Sequence, residues 1–203
     1  MTTAIILAGG LGTRLRSVVS DLPKPMAPIL GRPFLEYLMD YWIKQGISRF
    51  IISVGYKSNV IIKHFGSSYQ GANVEYSIEN VPLGTGGAML LASQGLSESF
   101  LVINGDTFID IDLGKMLNFH GEVKSDWTMA LIQSSNSVRY MGVDILDDGR
   151  VSSIKSNTNL ANGGVYLIDP NAVERHKEAQ NKKISLEDDL LPQLILNNGS
   201  LYG

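Results

Sequence analysis

Short apolar runs alternate with segments of helical spacing through the first half of the chain. Four runs predict buried strands, at Ala4–Ala8, Phe50–Val54, Val74–Ile78 and Phe100–Ile103. Three other segments predict helices, at Pro33–Gln45, Val60–Phe65 and Gly86–Gln94. This alternation favours a parallel sheet that is covered by helices on both faces.

The pattern changes in the second half, where strand-like runs follow one another with turns between them. These runs are Thr128–Gln133, Met141–Leu146, Val151–Ile154 and Val165–Ile168. Ser185 then opens the sequence Ser-Leu-Glu-Asp, which is typical of a helix start, before a helix that must accommodate Pro192. We expect one α/β domain whose C-terminal half adds a mixed or antiparallel sub-region.

Two polar loops come directly after apolar strands. Residues 7–10 read Leu-Ala-Gly-Gly, and Asn104–Asp106 read Asn-Gly-Asp. In open α/β sheets, ligands bind beyond the carboxyl ends of the strands. We therefore expect both loops at one edge of the sheet, where a site would form.

Composition and charge narrow the classes of function. The 203 residues are 44% hydrophobic and 18% charged with a net charge of −3, so no basic surface for nucleic acid or an anionic membrane is expected. The chain has no cysteine, which excludes disulfides and is compatible with the cytoplasm. Neither a membrane helix nor a signal peptide is expected. His64, His120 and His176 lie on polar helical stretches and are expected at the solvent surface.

The loop after the first strand reads Gly-Gly-Leu-Gly-Thr-Arg-Leu over residues 9–15. Leu15 stands where a dinucleotide-binding fingerprint needs a small residue, and no Gly-Lys-Ser/Thr follows as in a P-loop. The glycines still let backbone amides approach an anion, and Arg14 can add a bidentate contact. Lys24 lies between two prolines, and the second favours an extended backbone at Lys24. Taken singly, each motif is also compatible with a plain surface turn.

Five motifs occur together in a fixed order, at residues 7–15, 22–29, 81–88, 104–106 and 162–167. In letters they are LAGGLGTRL, LPKPMAPI, VPLGTGGA, NGD and NGGVYL. This set resembles the sugar-1-phosphate nucleotidyltransferases over nearly the whole chain. Among them it is most similar to the D-glycero-D-manno-heptose-1-phosphate guanylyltransferases, and next to the mannose-1-phosphate guanylyltransferases.

The resemblance implies an α/β, Rossmann-like fold of nucleotidyltransferase type, with a mostly parallel, mixed sheet and helices on both faces. It implies a single domain over residues 1–203, with a nucleotide-binding half over about 1–125 and a sugar-phosphate-binding half over about 126–203. In the implied reaction, a sugar 1-phosphate oxygen attacks the α-phosphorus of a nucleoside triphosphate, and pyrophosphate leaves. Such chemistry depends on positioning and charge neutralisation rather than on a protein nucleophile.

The resemblance also assigns roles to residues near the phosphates. Arg14 and Lys24 are implied as catalytic residues, and Asp106 as an oxygen ligand for Mg²⁺. An Asx turn or a helix cap is the structural alternative for Asp106. The implied nucleotide-binding residues are Leu7, Ala8, Gly9, Gly10, Gly12, Thr13, Glu79, Gly84 and Thr85.

Glu79 is the position that reads the base edge in this family, five residues before Gly84. An ionised carboxylate only accepts hydrogen bonds. Guanine offers it two adjacent donors, whereas uracil and thymine offer one donor flanked by carbonyl oxygens. This favours GTP as the nucleotide.

The implied sugar-binding residues are Asn104, Gly142, Asn162, Gly163 and Glu187. A turn is the structural alternative for Asn162 and Gly163, and a helix start is the alternative for Glu187. The expected partners are GTP and a sugar 1-phosphate, without nucleic acid or membrane, and a homodimer is left open.

The chain departs from the family pattern in its second half. Ser156 and Asn157 stand where relatives have Glu-Lys, and Lys155 is out of register, which in a strand turns a side chain to the other face. Met141 stands where relatives have the glycine of Arg-Tyr-Gly, and Gly142 comes one place late.

Relatives also continue past the equivalent of Gly203 into a strand that ends in Asp-Ile-Gly, whose aspartate is the second metal ligand. We therefore expect the C-terminus to be short. A weakly active or non-catalytic subunit that binds a nucleotide or a sugar nucleotide is the alternative function. An NAD-dependent oxidoreductase is disfavoured by Leu15.

Overall fold

The computed structural model describes residues 3–10, 22–133, 142–156, 158–176, 178, 182–197 and 199–203. Its strands are β1 (Thr3–Leu7), β2 (Pro28–Ile29), β3 (Arg32–Pro33), β4 (Arg49–Val54), β5 (Ser68–Tyr69), β6 (Ala72–Ile78), β7 (Phe100–Asn104), β8 (Trp127–Gln133), β9 (Gly142–Ile145), β10 (Val151–Ser156), β11 (Leu160–Ile168) and β12 (Leu201–Tyr202).

The α-helices are α1 (Phe34–Lys44), α2 (Ser58–Phe65), α3 (Gly84–Ala92), α4 (Leu113–Glu122), α5 (Pro170–Glu174) and α6 (Leu191–Leu196). A 3₁₀ turn covers Lys24–Met26, and a π-helical turn covers Leu186–Leu190 directly before α6. Within the described ranges, no helix has the length and apolar character that spanning a membrane requires.

One large sheet runs in the order β10-β9-β11-β7-β1-β4-β6-β5, and β8 and β12 join it through the pairing of β8 with β11. The strands β7, β1, β4 and β6 are parallel to one another. β11 pairs antiparallel with β7 and with β8, which makes the second half mixed. The prediction of a mostly parallel, mixed α/β sheet is confirmed.

Alternating residues of the central strands enter two hydrophobic cores on opposite faces of the sheet. In β1, Ala4 and Ile6 face the core that α1, α2 and α4 cover, whereas Ile5 faces the core that α3, α5 and α6 cover. All three side chains have no solvent exposure. A strand that is buried on both faces reads as a continuous apolar run, which is why the sequence pattern located β1 correctly.

Local sequence signals set several element ends. Gly46 has φ +95°, and it follows α1 where the sequence predicts a stop. At the helix start predicted for Ser185, the serine Oγ accepts a hydrogen bond of 3.0 Å from the Asp188 amide. Pro192 lies in the first turn of α6, where a proline costs no helical hydrogen bond. The π-helical turn lies directly in front of this first turn.

The expectation that all three histidines lie at the solvent surface is wrong for His120. Its side chain is buried beneath α4, and its Nδ1 lies 2.8 Å from the Thr128 Oγ1 on β8. Burial lowers the pKa of His120, because an imidazolium would lose its hydration there. His64 is half-exposed and lies 2.7 Å from a carboxylate oxygen of Glu36. Helical spacing did not reveal the burial of His120, because that burial depends on the contact with Thr128 on β8, which is a tertiary contact.

We expect the buried His120 to make stability depend on pH. The folded pKa lies below the unfolded value of about 6.5, so the unfolded chain binds a proton first as the pH falls. Stability from this group is therefore complete above about pH 6.5 and is lost below it, by up to about 1.4 kcal/mol per pH unit.

This prediction is checked by urea unfolding of the wild type and His120→Asn between about pH 8 and pH 5.5. Asparagine can keep a hydrogen bond to Thr128, and the difference at pH 8 gives the cost of the substitution itself. Other groups titrate alike in both proteins, so the wild type should lose more stability towards low pH. Parallel pH profiles would contradict the prediction.

Candidate active site

The two polar loops predicted at one edge of the sheet do meet there. Leu7 at the end of β1 pairs with Asn104 at the end of β7. The amide of Gly105 donates a hydrogen bond of 3.0 Å to the Leu7 carbonyl oxygen. A Cβ atom on Gly105 would lie 2.7 Å from that same oxygen, so only glycine allows this approach.

Lys24 and Asp106 form an ion pair across this edge, although 82 residues separate them along the chain. The second carboxylate oxygen of Asp106 accepts a hydrogen bond of 3.3 Å from the Thr107 hydroxyl. Both charged side chains keep more than a third of their surface exposed, at 36% and 39%. The pair is therefore open to a ligand from the solvent side.

The backbone at Lys24 differs from the expectation. The extended residue is Pro23, with ψ 148°, and Lys24 begins the 3₁₀ turn that ends at Met26. The Met26 amide donates to the Pro23 carbonyl at 2.8 Å, and this bond closes the turn. Met26 is buried, so it anchors the turn and directs Lys24 towards the strand ends. The steric preference of a residue before proline is weaker here than this tertiary packing.

Asp106 provides one hard oxygen ligand of the kind that Mg²⁺ binds. Mg²⁺ is typically held by one or two carboxylates, with substrate phosphates and water completing the octahedron. Within the described ranges, no group of three histidine, cysteine, aspartate or glutamate side chains is arranged to hold a metal ion. Asp106 fits a metal that is held mainly by substrate oxygens.

Glu79 follows β6 and lies against the first glycine-rich loop. Its Oε1 accepts from the Ser53 hydroxyl at 3.2 Å, and its Oε2 accepts from the Leu83 amide at 2.9 Å. A Cβ atom on Gly9 would lie 2.1 Å from the Glu79 Oε1. The carboxylate thus joins the ends of β1 and β4 to the loop before α3.

The glycines at the start of α3 pack against the segment that precedes the π-helical turn. The Ile184 carbonyl accepts from the amides of Gly86, at 2.9 Å, and Gly87, at 3.2 Å. Gly84 has φ +72°, and a Cβ atom there would lie 2.5 Å from the same carbonyl oxygen. This packing accounts for the glycine at position 84, and its predicted contact with the nucleotide stays a prediction.

Predicted sugar-binding residues meet around the hydroxyl of Tyr166. The Asn162 side chain donates to this hydroxyl at 2.6 Å, and the hydroxyl lies 3.5 Å from the Glu187 Oε1. Tyr166 is fully buried, and burial raises its pKa well above the usual value, with the neighbouring carboxylate adding to the shift. Tyr166 therefore acts as a neutral hydrogen-bonding group.

Thr85 connects the two predicted substrate regions. Its hydroxyl donates to the Glu187 Oε2 at 2.7 Å and accepts from the Leu186 amide at 2.8 Å. Its described partners thus belong to the predicted sugar side, whereas the sequence assigns it to the nucleotide. The predicted nucleotide contact of Thr85 stays untested.

The remaining predicted sugar residues lie near the same edge. Asn104 ends β7 beside Gly164, and its buried Oδ1 has no hydrogen-bond partner among the described residues. Gly163 lies in β11 and packs against Ile109, and the Asn162 side-chain oxygen accepts a hydrogen bond of 2.9 Å from the Gly164 amide. A local turn-like bond within the strand therefore accounts for part of this motif, and its contact with the sugar stays a prediction. Gly142 begins β9 and pairs with Ala161.

Some predicted site residues lie outside the described part of the chain. These are Gly12, Thr13, Arg14 and, among the family departures, Arg139, Tyr140, Met141 and Asn157, together with the side chains of Lys155 and Ser156. Sequence reasoning did not single out Ser53, Tyr166 or Ile184. Ser53 gave a signal as a polar residue within a largely apolar strand, and Tyr166 lies within the motif at residues 162–167.

The fold and the strand-end loops define an α/β protein with an open charged site at the carboxyl edge of a parallel sheet. The model of the nucleotidyl transferase family matches residues 3–202. The chain therefore belongs to the nucleotidyl transferase family, as the resemblance implies.

Several relatives share most of this chain. It is 46% identical to a D-glycero-alpha-D-manno-heptose 1-phosphate guanylyltransferase of Aneurinibacillus thermoaerophilus, over 98% of this chain and 87% of the relative. A mannose-1-phosphate guanylyltransferase of Mycobacterium tuberculosis is 32% identical over 98% of this chain and 57% of its own length.

Solved structures share the fold of this chain. HddC from Yersinia pseudotuberculosis has a TM-score of 0.85 at 37% identity, covering 100% of this chain and 89% of that one. Its complex with GMP-PN has a TM-score of 0.81 at 38% identity, covering 95% and 86%. These comparisons confirm the fold, and the roles of individual residues stay predictions.

We expect Gly9→Ala to push the Glu79 carboxylate out of its place, because the new methyl group would overlap its Oε1. The side chain would lose its bonds to Ser53 and Leu83, so the free energy of unfolding should fall by about 1–2 kcal/mol. Chemical denaturation measures this loss.

Gly10→Ala is the matched control, because a Cβ atom on Gly10 would meet no atom of the described residues within 4 Å. It should change stability by less than about 0.5 kcal/mol. In a Glu79→Ala background, the cost of Gly9→Ala should shrink, since the colliding carboxylate is gone. An equal cost in both backgrounds would contradict the proposed contact.

Proposed function

We propose that the protein transfers GMP from GTP to D-glycero-D-manno-heptose 1-phosphate and releases pyrophosphate. The observation that carries this proposal is the pairing of Lys24 with Asp106 beside the glycine-rich loop, at the edge of a nucleotidyltransferase sheet. Similarity to heptose 1-phosphate guanylyltransferases over almost the whole chain supports the choice of nucleotide and sugar. Because the reaction consumes GTP, the proposal includes a cytoplasmic location.

In this reaction, an oxygen of the sugar phosphate forms a bond to the α-phosphorus, and the bond to pyrophosphate breaks. No protein nucleophile is required, because catalysis rests on holding the two substrates in line and on neutralising charge. Lys24 would supply positive charge to the phosphates, and Asp106 would hold Mg²⁺ through a carboxylate oxygen. When bound, Mg²⁺ supplies charge neutralisation at the phosphate oxygens.

The ion pair also bears on the choice between an enzyme and a pure binding protein. Asp106 is the counterion of Lys24. If Asp106 binds a metal cation instead, the ion pair between the two side chains is broken. The ammonium group is then available to an anion at the same edge. The pair thus supports metal-assisted chemistry on a phosphate, and turnover decides between catalysis and a subunit that only binds a nucleotide or a sugar nucleotide.

Glu79 would select the base from the position that the structure gives it. Its two described hydrogen bonds leave acceptor capacity, since a carboxylate can accept about four. Ile78 and Val81 flank it and are exposed, at 51% and 62%, so they offer apolar surface to a base. Guanine would present two donors to the remaining lone pairs.

The proposal divides the chain into two working halves. Residues of about 1–125 would bind GTP, and residues of about 126–203 would bind the sugar phosphate. Asn162 and Glu187 would contact sugar hydroxyls, with Gly163 and Gly142 leaving room for the ring. Asn104 would contribute from the end of β7, where no described residue pairs with its Oδ1.

We expect Lys24→Ala to lower kcat by ~10²-fold or more without unfolding the protein, because electrostatic stabilisation dominates this type of transfer. Lys63→Ala is the matched control, since Lys63 is an exposed lysine on α2 outside the proposed site. Pyrophosphate release measures kcat for both variants. A well-folded Lys24→Ala protein with near-normal kcat would exclude Lys24 from catalysis.

The proposed function is tested by pyrophosphate release with Mg²⁺, four nucleotides and a panel of sugar 1-phosphates. The wild type should prefer GTP over UTP, dTTP and CTP, and the heptose over mannose 1-phosphate. Glu79→Gln keeps an acceptor for the Leu83 amide but removes the negative charge. It should therefore lower kcat/KM for GTP and reduce the ratio of kcat/KM between GTP and UTP.

The measured quantity is kcat/KM for each nucleotide on both proteins. Equal small losses for every base would remove Glu79 from base selection. Absence of turnover with every pair of substrates would refute guanylyl transfer and favour the non-catalytic alternative.

A further inference from the structure

Hydroxyl groups surround the carboxylate of Glu187. The Thr85 hydroxyl lies 2.7 Å from Oε2, the Ser185 hydroxyl lies 3.4 Å from the same oxygen, and the Tyr166 hydroxyl lies 3.5 Å from Oε1. The contact with Thr85 is the shortest of these. It also joins residues that are 102 positions apart, so the fold itself creates it.

The orientation of the Thr85 hydroxyl is fixed. A hydroxyl carries one proton and can accept from other donors. The Leu186 amide donates to the Thr85 Oγ1 at 2.8 Å, so this oxygen is the acceptor there. Its single proton is therefore donated to the Glu187 carboxylate, because an ionised carboxylate can only accept. A charged acceptor makes this the stronger kind of hydrogen bond.

Backbone bonds tie the same two segments together. Ile184 donates to the Leu83 carbonyl at 2.8 Å and accepts from the amide of Gly86 at 2.9 Å. Leu83 in turn donates to the Glu79 carboxylate. The loop after β6, the first turn of α3 and the segment that carries Glu187 are thus one hydrogen-bonded unit.

We propose that Thr85 is a positioning residue that holds the Glu187 carboxylate in one orientation for the hydroxyls of the sugar substrate. This inference rests on the proposed function, in which Glu187 contacts the sugar. Without the Thr85 bond, the glutamate side chain would sample other rotamers and would have to be ordered again at each binding event. Thr85 acts through Glu187 and does not itself touch the sugar.

The test uses Thr85→Val, which keeps the shape of the side chain and removes its hydroxyl. KM for the sugar 1-phosphate should rise about 10-fold, as expected for the loss of a hydrogen bond to a charged group. KM for GTP should stay within about 2-fold. Thr85→Ser keeps the hydroxyl and should restore the sugar KM.

Thr128→Val is the matched control, because it removes another threonine hydroxyl with a hydrogen-bond partner, His120, at the opposite end of the sheet. It should leave both KM values unchanged. In a Glu187→Ala background, Thr85→Val should add almost nothing to the sugar KM, because the residue that it positions is gone.

The outcomes separate the two proposals. If the wild type fails to release pyrophosphate, the proposed function fails and this inference fails with it. If the wild type is active but Thr85→Val leaves the sugar KM unchanged, only the role of Thr85 is refuted. A rise in KM for GTP alone would refute it too and would favour the nucleotide contact that the sequence predicts. Should Thr85→Val not fold, Thr85→Ala in wild-type and Glu187→Ala backgrounds replaces it, and equal effects on the sugar KM in both backgrounds would overturn the inference.

Discussion

The parallel pairing of β1 with both β4 and β7 is the constraint on which the site depends. It brings three strand ends, at Leu7, Val54 and Asn104, to the same edge of the sheet. Backbones can crowd together there only where side chains are missing, as Gly105 shows by bonding to the Leu7 carbonyl. Gly105 is therefore required for the packing of the strand ends, whether or not a ligand is bound.

The charges at this edge follow from the same geometry. Because β1 and β7 are neighbours, the chain after each strand delivers one partner of the Lys24–Asp106 pair. An ion pair with both partners more than a third exposed contributes little to stability, since water screens it. The pair is therefore better explained by the binding of a polyanionic ligand and its cation than by a contribution to the stability of the fold.

The sequence predicted the strands of the first half and the loops at their ends, because buried parallel strands appear as uninterrupted apolar runs. It also predicted the helix start at Ser185 correctly, because a helix cap is an interaction between residues that are close in sequence. It failed where tertiary contacts decide. His120 is buried by the packing of α4, and the backbone of Lys24 is set by the anchoring of Met26. No local pattern could show that Thr85 bonds to Glu187.

The glycines at the start of α3 have a structural role that the motif alone does not reveal. Helix N-termini with glycines are typical anion sites, because their amides are unpaired. Here, the amides of Gly86 and Gly87 already donate to the Ile184 carbonyl, so they are committed to the protein itself. What the glycines permit is the close crossing of a second segment, and that segment carries Glu187. The motif that resembles a nucleotide-binding element therefore also supports the proposed sugar side, and the two proposed substrate regions share one set of hydrogen bonds.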